Sequence, residues 1–271
     1  IDTNHTEKRL FGIAYQEQPW YSYANDRIVW DEIRFDPRYK QRSYSVICSY
    51  NLKTKEKKQL TFKTRLCSPT LSADGKKLIA IKIELSNQSN IVSIDPQNGK
   101  ILHTYPNPEN LILQTPALNT DRTQLTYVSV NEKGKSLWLI DNNGKKIKLI
   151  SDTNQQLSNP KFINETIAFN AHYSGIDNIY AINPQSKEIS ALTASKHGAF
   201  NASLSSDQKS ILFNNYQLMG YEIAKSPIVE KEIQNPNFVF FGEAATLQEN
   251  TGNVFNKISD SIYPSKTYRP S

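Results

Sequence analysis

A strand–turn–strand phrase recurs along this chain, and that recurrence limits the fold more than any single motif does. Residues 68–81 read S-P-T-L-S-A-D-G-K-K-L-I-A-I, and residues 115–128 read T-P-A-L-N-T-D-R-T-Q-L-T-Y-V. Residues 201–213 read N-A-S-L-S-S-D-Q-K-S-I-L-F. Residues 159–169 are a shorter copy, and residues 19–30 are a fifth with a changed turn. Asp74-Gly75 predicts a two-residue hairpin turn, because Gly tolerates positive φ and the Asp side chain bonds the local backbone. Five copies at a near-regular interval make a repeat protein, and that frames every later assignment.

The proline of the phrase serves as a ruler. Pro19, Pro69, Pro116 and Pro160 lie 50, 47 and 44 residues apart, and Ala202 follows Pro160 by 42. A second phrase keeps step: an aliphatic strand end, a polar turn and another strand, as at residues 94–100, 140–145 and 182–187. Each unit thus carries four short strands, a to d, in about 45 residues, the period of a β-propeller blade. No apolar i, i+3, i+4, i+7 pattern is sustained, which argues against a helical solenoid. The expected fold is all-β: a propeller of four-stranded blades, with five recognisable blades and part of a sixth.

Hydrophobic residues make up 38% of the 271 residues, which is low for a globular chain. Small sheets with polar hairpins account for this, since 14 Tyr, 11 Phe and 3 Trp are present to build cores. The net charge of +6 comes largely from Lys in the turns before strand d. Charged edges of this kind discourage edge-to-edge pairing, and without a basic face carrying exposed aromatics no nucleic-acid partner is expected. Cys48 and Cys67 carry no metal or redox spacing and read as buried thiols. No apolar run of membrane-spanning length occurs, so no helical membrane span is expected.

Residues 1–11 match the end of a strand c, a turn and a strand d, so the chain is expected to begin inside a blade. Domain boundaries follow: residues 1–244 form the propeller, and residues 245–271 read as a linker or tail. Residues 237–244 are apolar enough for one further strand. Packing between blades is expected to run through strand-b residues such as Ile79, Leu125, Ile167 and Leu212.

These phrases, with N-I-Y-A-I-N at 178–183 and A-L-T at 191–193, resemble the TolB-type propeller repeat over about residues 1–236. The chain departs from that repeat in unit four, where the Asp-Gly turn is lost, and in unit one, where Asn25-Asp26 replaces it. A narrower likeness rests on Y-S-G-I-D-N-I-Y (173–180), P-N-P-E-N-L (106–111), F-D-P-R-Y (35–39), R-S-Y-S (42–45) and Y-P-S-K-T-Y-R-P (263–270). It points to large envelope proteins of Bacteroidetes-type bacteria, in which a TolB-like propeller follows a peptidase-like region and precedes an outer-membrane barrel. The resemblance implies a non-catalytic module of a larger exported protein, periplasmic or associated with the outer membrane. Such a module binds protein or peptide partners, other regions of the same full-length polypeptide included. The alternative it leaves open is a regulatory or substrate-gating propeller attached to a peptidase or other hydrolase.

Motifs for catalysis are missing from the sequence. His5, His103, His172 and His197 form no H-x-x-x-H, H-E-x-x-H or Cys/His cluster, and there is no G-x-S-x-G. Asp31-Glu32 are neighbours on a strand and face opposite sides, so they cannot flank one bond. No catalytic residue, cofactor or metal ligand is expected. The distinctive stretch is the b–c connection at residues 34–43, R-F-D-P-R-Y-K-Q-R-S. Its arginines suit bidentate bonds to a carboxylate partner, while the plain structural reading is an Asp36–Arg ion pair bracing a long loop. In a propeller the b–c and d–a loops share one face. The residues expected to touch a partner there are Arg34, Asp36, Arg38, Arg42, Tyr44 and Tyr173, with Arg65, Gln114, Gln156 and His197 from the d–a loops.

Overall fold

The computed structural model describes residues 8–39 and 41–233 of the chain. They form five antiparallel sheets that follow one another in chain order. Sheet one holds β1 (Ser22–Ala24), β2 (Arg27–Phe35), β3 (Ser43–Asn51) and β4 (Lys57–Gln59). Sheet two holds β5 (Leu66–Leu71), β6 (Leu78–Ile83), β7 (Ser89–Ile94) and β8 (Ile101–Tyr105), and sheet three holds β9 (Ile112–Leu118), β10 (Leu125–Asn131), β11 (Gly134–Ile140) and β12 (Lys146–Thr153). Sheet four holds β13 (Ser158–Ile163), β14 (Thr166–Ala171), β15 (Asn178–Ile182) and β16 (Ile189–Ala191). Sheet five holds β17 (Ala199–Leu204), β18 (Ser210–Gln217) and β19 (Gly220–Pro227). The short β20 (Lys231–Glu232) crosses back and pairs with β16, so sheet four has five strands and sheet five has three. These are the five blades that the repeat predicts, and the part of a sixth expected beside them is not formed by the described residues.

The repeated turn is built differently from the expected two-residue hairpin. Six residues connect β5 to β6: Ser72 N donates to Lys77 O (2.8 Å) and Gly75 N to Ser72 O (2.8 Å). Asp74 Oδ1 accepts from Ser72 Oγ (2.7 Å) and from Lys76 N (3.1 Å). The side-chain oxygens satisfy amides that the ladder cannot reach, which is why Ser or Asn and Asp hold these places in the repeat. Gly75, Arg122 and Gln208 occupy the same left-handed position, with φ of 67°, 67° and 57°. The c–d turns use the same chemistry, with Asn51, Asp95, Asp141 and Asn183 each accepting backbone amides. At Gly99 (φ 75°) a Cβ would lie 2.1 Å from Leu60 O, so this position requires glycine.

Apolar side chains fill the spaces between consecutive sheets. Val29, Ile47, Leu78 and Ala80 pack sheet one on sheet two, and Ile79, Ile81, Leu113 and Leu125 pack sheet two on sheet three. Val128, Leu139, Ile167 and Phe169 join sheets three and four, and Ala168, Ile179, Ala202 and Ile211 join sheets four and five. Inner sheets are buried on both faces, so their b strands are continuous apolar runs. Leu212 corrects one expectation: it is 37% exposed. It points away from sheet four, on a face shared with exposed Tyr216 and Ile223, whereas its neighbour Ile211 is fully buried.

The N-terminal segment corrects another. Residues 8–11, expected as a strand d, are not strand. Phe11 instead stacks on Trp30 at 4.6 Å and lies 4.5 Å from the Tyr50 ring, covering the outer face of sheet one. The expected strand at residues 237–244 and the linker that follows lie outside the described residues. Cys48 is buried and Cys67 half-buried, both as free thiols, and burial pushes each up to about 12.

Asp31 gives a pH-dependent signature of this packing. It is 7% exposed, and its Oδ1 has no hydrogen-bond partner among the described residues. Burial pushes its carboxyl up to about 6, against the opposing effect of a backbone hydrogen bond at Ser68. The folded state thus holds a proton that the unfolded state releases near pH 4. Its stabilising contribution is full below that value and is lost as pH rises through about 6. Asp31→Asn is expected to raise stability at pH 7 by about 2–3 kcal/mol and to change little at pH 3.5. Thermal melts of both proteins at the two pH values check this; equal gains at both would assign the effect to packing.

Candidate functional site

Two concave regions draw residues from several sheets. The first is a groove of about 440 Å³ between sheets one and two, on the side of the b–c and d–a loops. The long loop after β2 brings Asp36, Arg42 and Tyr44 to it, the link from β4 to β5 brings Lys63 and Arg65, and the end of β6 brings Lys82 and Glu84. Asp36 folds the loop: its Oδ1 accepts from Arg38 N (2.9 Å) and Tyr39 N (3.3 Å), while Asp36 N donates to Arg42 O (2.9 Å). The Arg38 amide first, then Tyr39 N and the charges of Arg42 and Lys63, hold the Asp36 carboxyl below its ordinary value. The brace is therefore carboxylate to backbone and not the expected ion pair with arginine. Lys82 pairs with Glu84 at 2.5 Å. Arg42, Lys63 and Arg65 have no ion pair among the described residues. Exposed Phe62 and Leu85 adjoin this cluster in sequence, and the Lys63 ammonium lies 5.7 Å from the Phe62 ring.

The groove gathers Asp36, Arg42, Tyr44 and Arg65 from the expected partner residues and leaves the others elsewhere. Arg34 pairs with the buried Glu32 and is half-buried. Arg38 is exposed beside the groove but does not line it. Gln114 is half-buried in β9, and Gln156 donates its backbone N–H to His172 Nδ1 at 3.1 Å. Tyr173 lies in the core against Phe169 and Tyr180, not on the loop surface. His197 is exposed in the link from β16 to β17. Lys82 and Glu84 were not singled out in the sequence, since a Lys at a strand end is ordinary by itself.

The second region is the central channel, a cavity of about 310 Å³ lined from all five sheets. Each inner strand of sheets two to five carries a bulge there, with the ladder slipping beside Ser68, Thr115, Asn159 and Asn201. These residues adopt φ of 52°, 44°, 52° and 60°. A bulge re-aims the side chains that follow it, and such left-handed, non-glycine conformations persist where the surroundings enforce them. Amides run partway round the wall: Asn159 Nδ2 donates to Asn201 Oδ1 (2.6 Å), and Asn201 Nδ2 to Asn214 Oδ1 (3.2 Å). Among the described residues no group of three or more His, Cys, Asp or Glu is placed to hold a metal ion.

No family model and no curated protein matches the sequence. Solved structures are similar in fold. TolB from Acinetobacter baumannii has a TM-score of 0.61 at 15% identity, covering 76% of this chain and 52% of that one. A TolB-like protein from Agrobacterium tumefaciens has a TM-score of 0.57 at 12% identity, covering 73% and 79%. An oligogalacturonate lyase in complex with manganese has a TM-score of 0.53 at 15% identity, covering 70% and 59%. The chain thus spans about half the length of the first of these. The turns, the bladed sheets and these likenesses together identify the fold as a β-propeller similar to that of TolB.

Proposed function

We propose that this propeller is a non-catalytic recognition module of a larger exported envelope protein, and that it binds an acidic protein or peptide segment in the groove between sheets one and two. One observation carries the reading. Three cations from two links of the chain, Arg42 and the close pair Lys63 and Arg65, converge on one cavity with no ion pair among the described residues, and Asp36 is the carboxylate there on which the charges of Arg42 and Lys63 act. Cations held on a rigid scaffold attract a negative segment and fix its register, and arginine forks suit carboxylates. Exposed Phe62 and Leu85 offer apolar contact at the rim. The likeness to TolB propellers supports the export part of the reading.

The test is binding of a fluorescent peptide that alternates Glu and Phe, measured at low and at physiological salt. Arg42→Ala with Arg65→Ala is expected to leave the circular dichroism spectrum unchanged and to weaken binding about tenfold or more. Raising the salt should weaken the parent and affect the double variant little. Equal affinity of parent and double variant would assign the groove to bracing of the loop.

A further inference from the structure

We infer that the central channel is a binding site for a small carboxylate carrying its own hydrogen-bond donor, with the carboxylate on Lys161 and the donor on Asn159. The site is distinct from the groove and does not depend on the reading of that surface.

Among the described residues Lys161 is the one charged side chain lining the channel. Among the described residues it has no ion pair and no side-chain hydrogen bond. The residue at its place in the copies of sheets two, three and five is small and neutral: Thr70, Ala117 and Ser203. The bulge between Ser158 and Lys161 places this lysine on the wall of the channel. Its side chain is half-buried on the channel wall, and burial holds its pKa below the ordinary lysine value. A cation in such a place calls for a counter-charge, and the single-signed, walled cavity focuses its field on whatever enters.

Two further groups define the ligand. Among the described residues Thr115 Oγ1 and Asn159 Oδ1 are buried without a partner; both residues line the same cavity, and the two atoms, which have almost no accessible surface in the empty channel, meet a ligand as their side chains turn towards it. A carboxylate satisfies the ammonium and accepts from the Thr115 hydroxyl. It cannot satisfy Asn159 Oδ1, which is an acceptor and needs a donor. An acceptor-only anion such as sulfate therefore leaves one orphan, while a hydroxy or amino acid leaves none. The remaining wall includes Pro69, Pro116, Pro160 and Trp20, which suit an apolar body on the ligand. The same chemistry is offered by a free hydroxy acid and by the C-terminus of a peptide, whose last N–H stands beside its carboxylate.

Mandelate is the first probe, with phenylacetate (no hydroxyl) and mandelamide (no charge) as controls. The tripeptide Ala-Ala-Phe, with a free or an amidated C-terminus, tests the second source. Binding is followed by the NMR shift of the Lys161 Cε in the parent protein and by isothermal titration. Mandelate or the free tripeptide is expected to move the Lys161 signal. Each control should bind about tenfold more weakly or less, as should the parent's ligand to Lys161→Met. Lys161→Arg should restore part of the affinity. Binding of the tripeptide alone would assign the site to a chain terminus, and of mandelate alone to a free acid; either result upholds the site. If neither moves the Lys161 signal in the parent, or if Lys161→Met binds as the parent does, the inference is overturned. The parent measurement holds even if Lys161→Met fails to fold.

Discussion

Ile167→Asp is expected to leave no folded protein at 25 °C. Ile167 is fully buried between sheets three and four, against Leu139, Leu149 and Phe169. Losing its burial costs about 1.5–3 kcal/mol. A carboxylate placed there without a partner costs several kcal/mol more, against a total stability of about 5–15 kcal/mol. Leu212→Asp is the matched control, because Leu212 lies on the b strand of sheet five but faces its uncovered side. Surface changes of that kind stay within about 0.5 kcal/mol. Far-ultraviolet circular dichroism and urea unfolding of the two variants separate the cases. A melting point for Ile167→Asp within a degree of the parent would contradict the packing of sheet four on sheet three.

Glu32→Ala is expected to cost about 3 kcal/mol or more and to free the segment around Phe11 from sheet one. Glu32 is a fully buried carboxylate that four groups hold in place. Trp30 Nε1 donates to it at 2.9 Å, Ala14 N at 3.1 Å and the Lys57 ammonium at 3.2 Å, and Arg34 pairs with its other oxygen. Burial alone would push this carboxyl up. The hydrogen bonds of Trp30, Ala14, Arg34 and Lys57 outweigh burial and hold it down at about 2. With the folded value below the unfolded one, its contribution is present above about pH 4.5 and is lost as pH falls through about 2. Glu32→Gln keeps an acceptor for Ala14 and Trp30 and should fall between parent and Glu32→Ala, with a weaker loss of stability in acid. Hydrogen exchange at Ala14 and at Ile33, whose amide donates to Tyr15 O (2.8 Å), reports the segment directly. A loss below 1 kcal/mol with Ala14 still protected would show that the aromatic stack of Phe11 holds the segment by itself.

The architecture was legible because it is local. A strand is read from alternation and β-branched residues, and a turn from Ser, Asn, Asp and Gly whose side chains bond amides a few residues away. The Ser72–Asp74 and Asn51 or Asp95 turns obey rules that act within six residues, so each copy of the phrase announces its own blade. Even the misjudged turn length left the blade in place, because its closing pair, Ser72 and Lys77, still joins the same two strands. Arg42 and Arg65 were also legible as candidates, since both stand in links on the loop face.

What the tertiary structure decided is which of these local pieces meet. Period-two alternation marks two faces of a strand and does not say which will be covered; Leu212 is exposed because no sheet of the described residues packs on its side of sheet five, while Ile79 is buried from the corresponding side of sheet two. Tyr173 reads as a hairpin residue and is core, because sheet three packs over it. Lys161 reads as one more basic residue on a strand, and a bulge turns it into the channel. Residues 8–11 read as a strand, and Phe11 instead finds a better surface on Trp30. In each case the deciding energy is contact between segments far apart in the chain. The sequence by itself determined the repeat, the turns and the blades; burial between blades, set by long-range packing, decided which side chains became core, groove and channel.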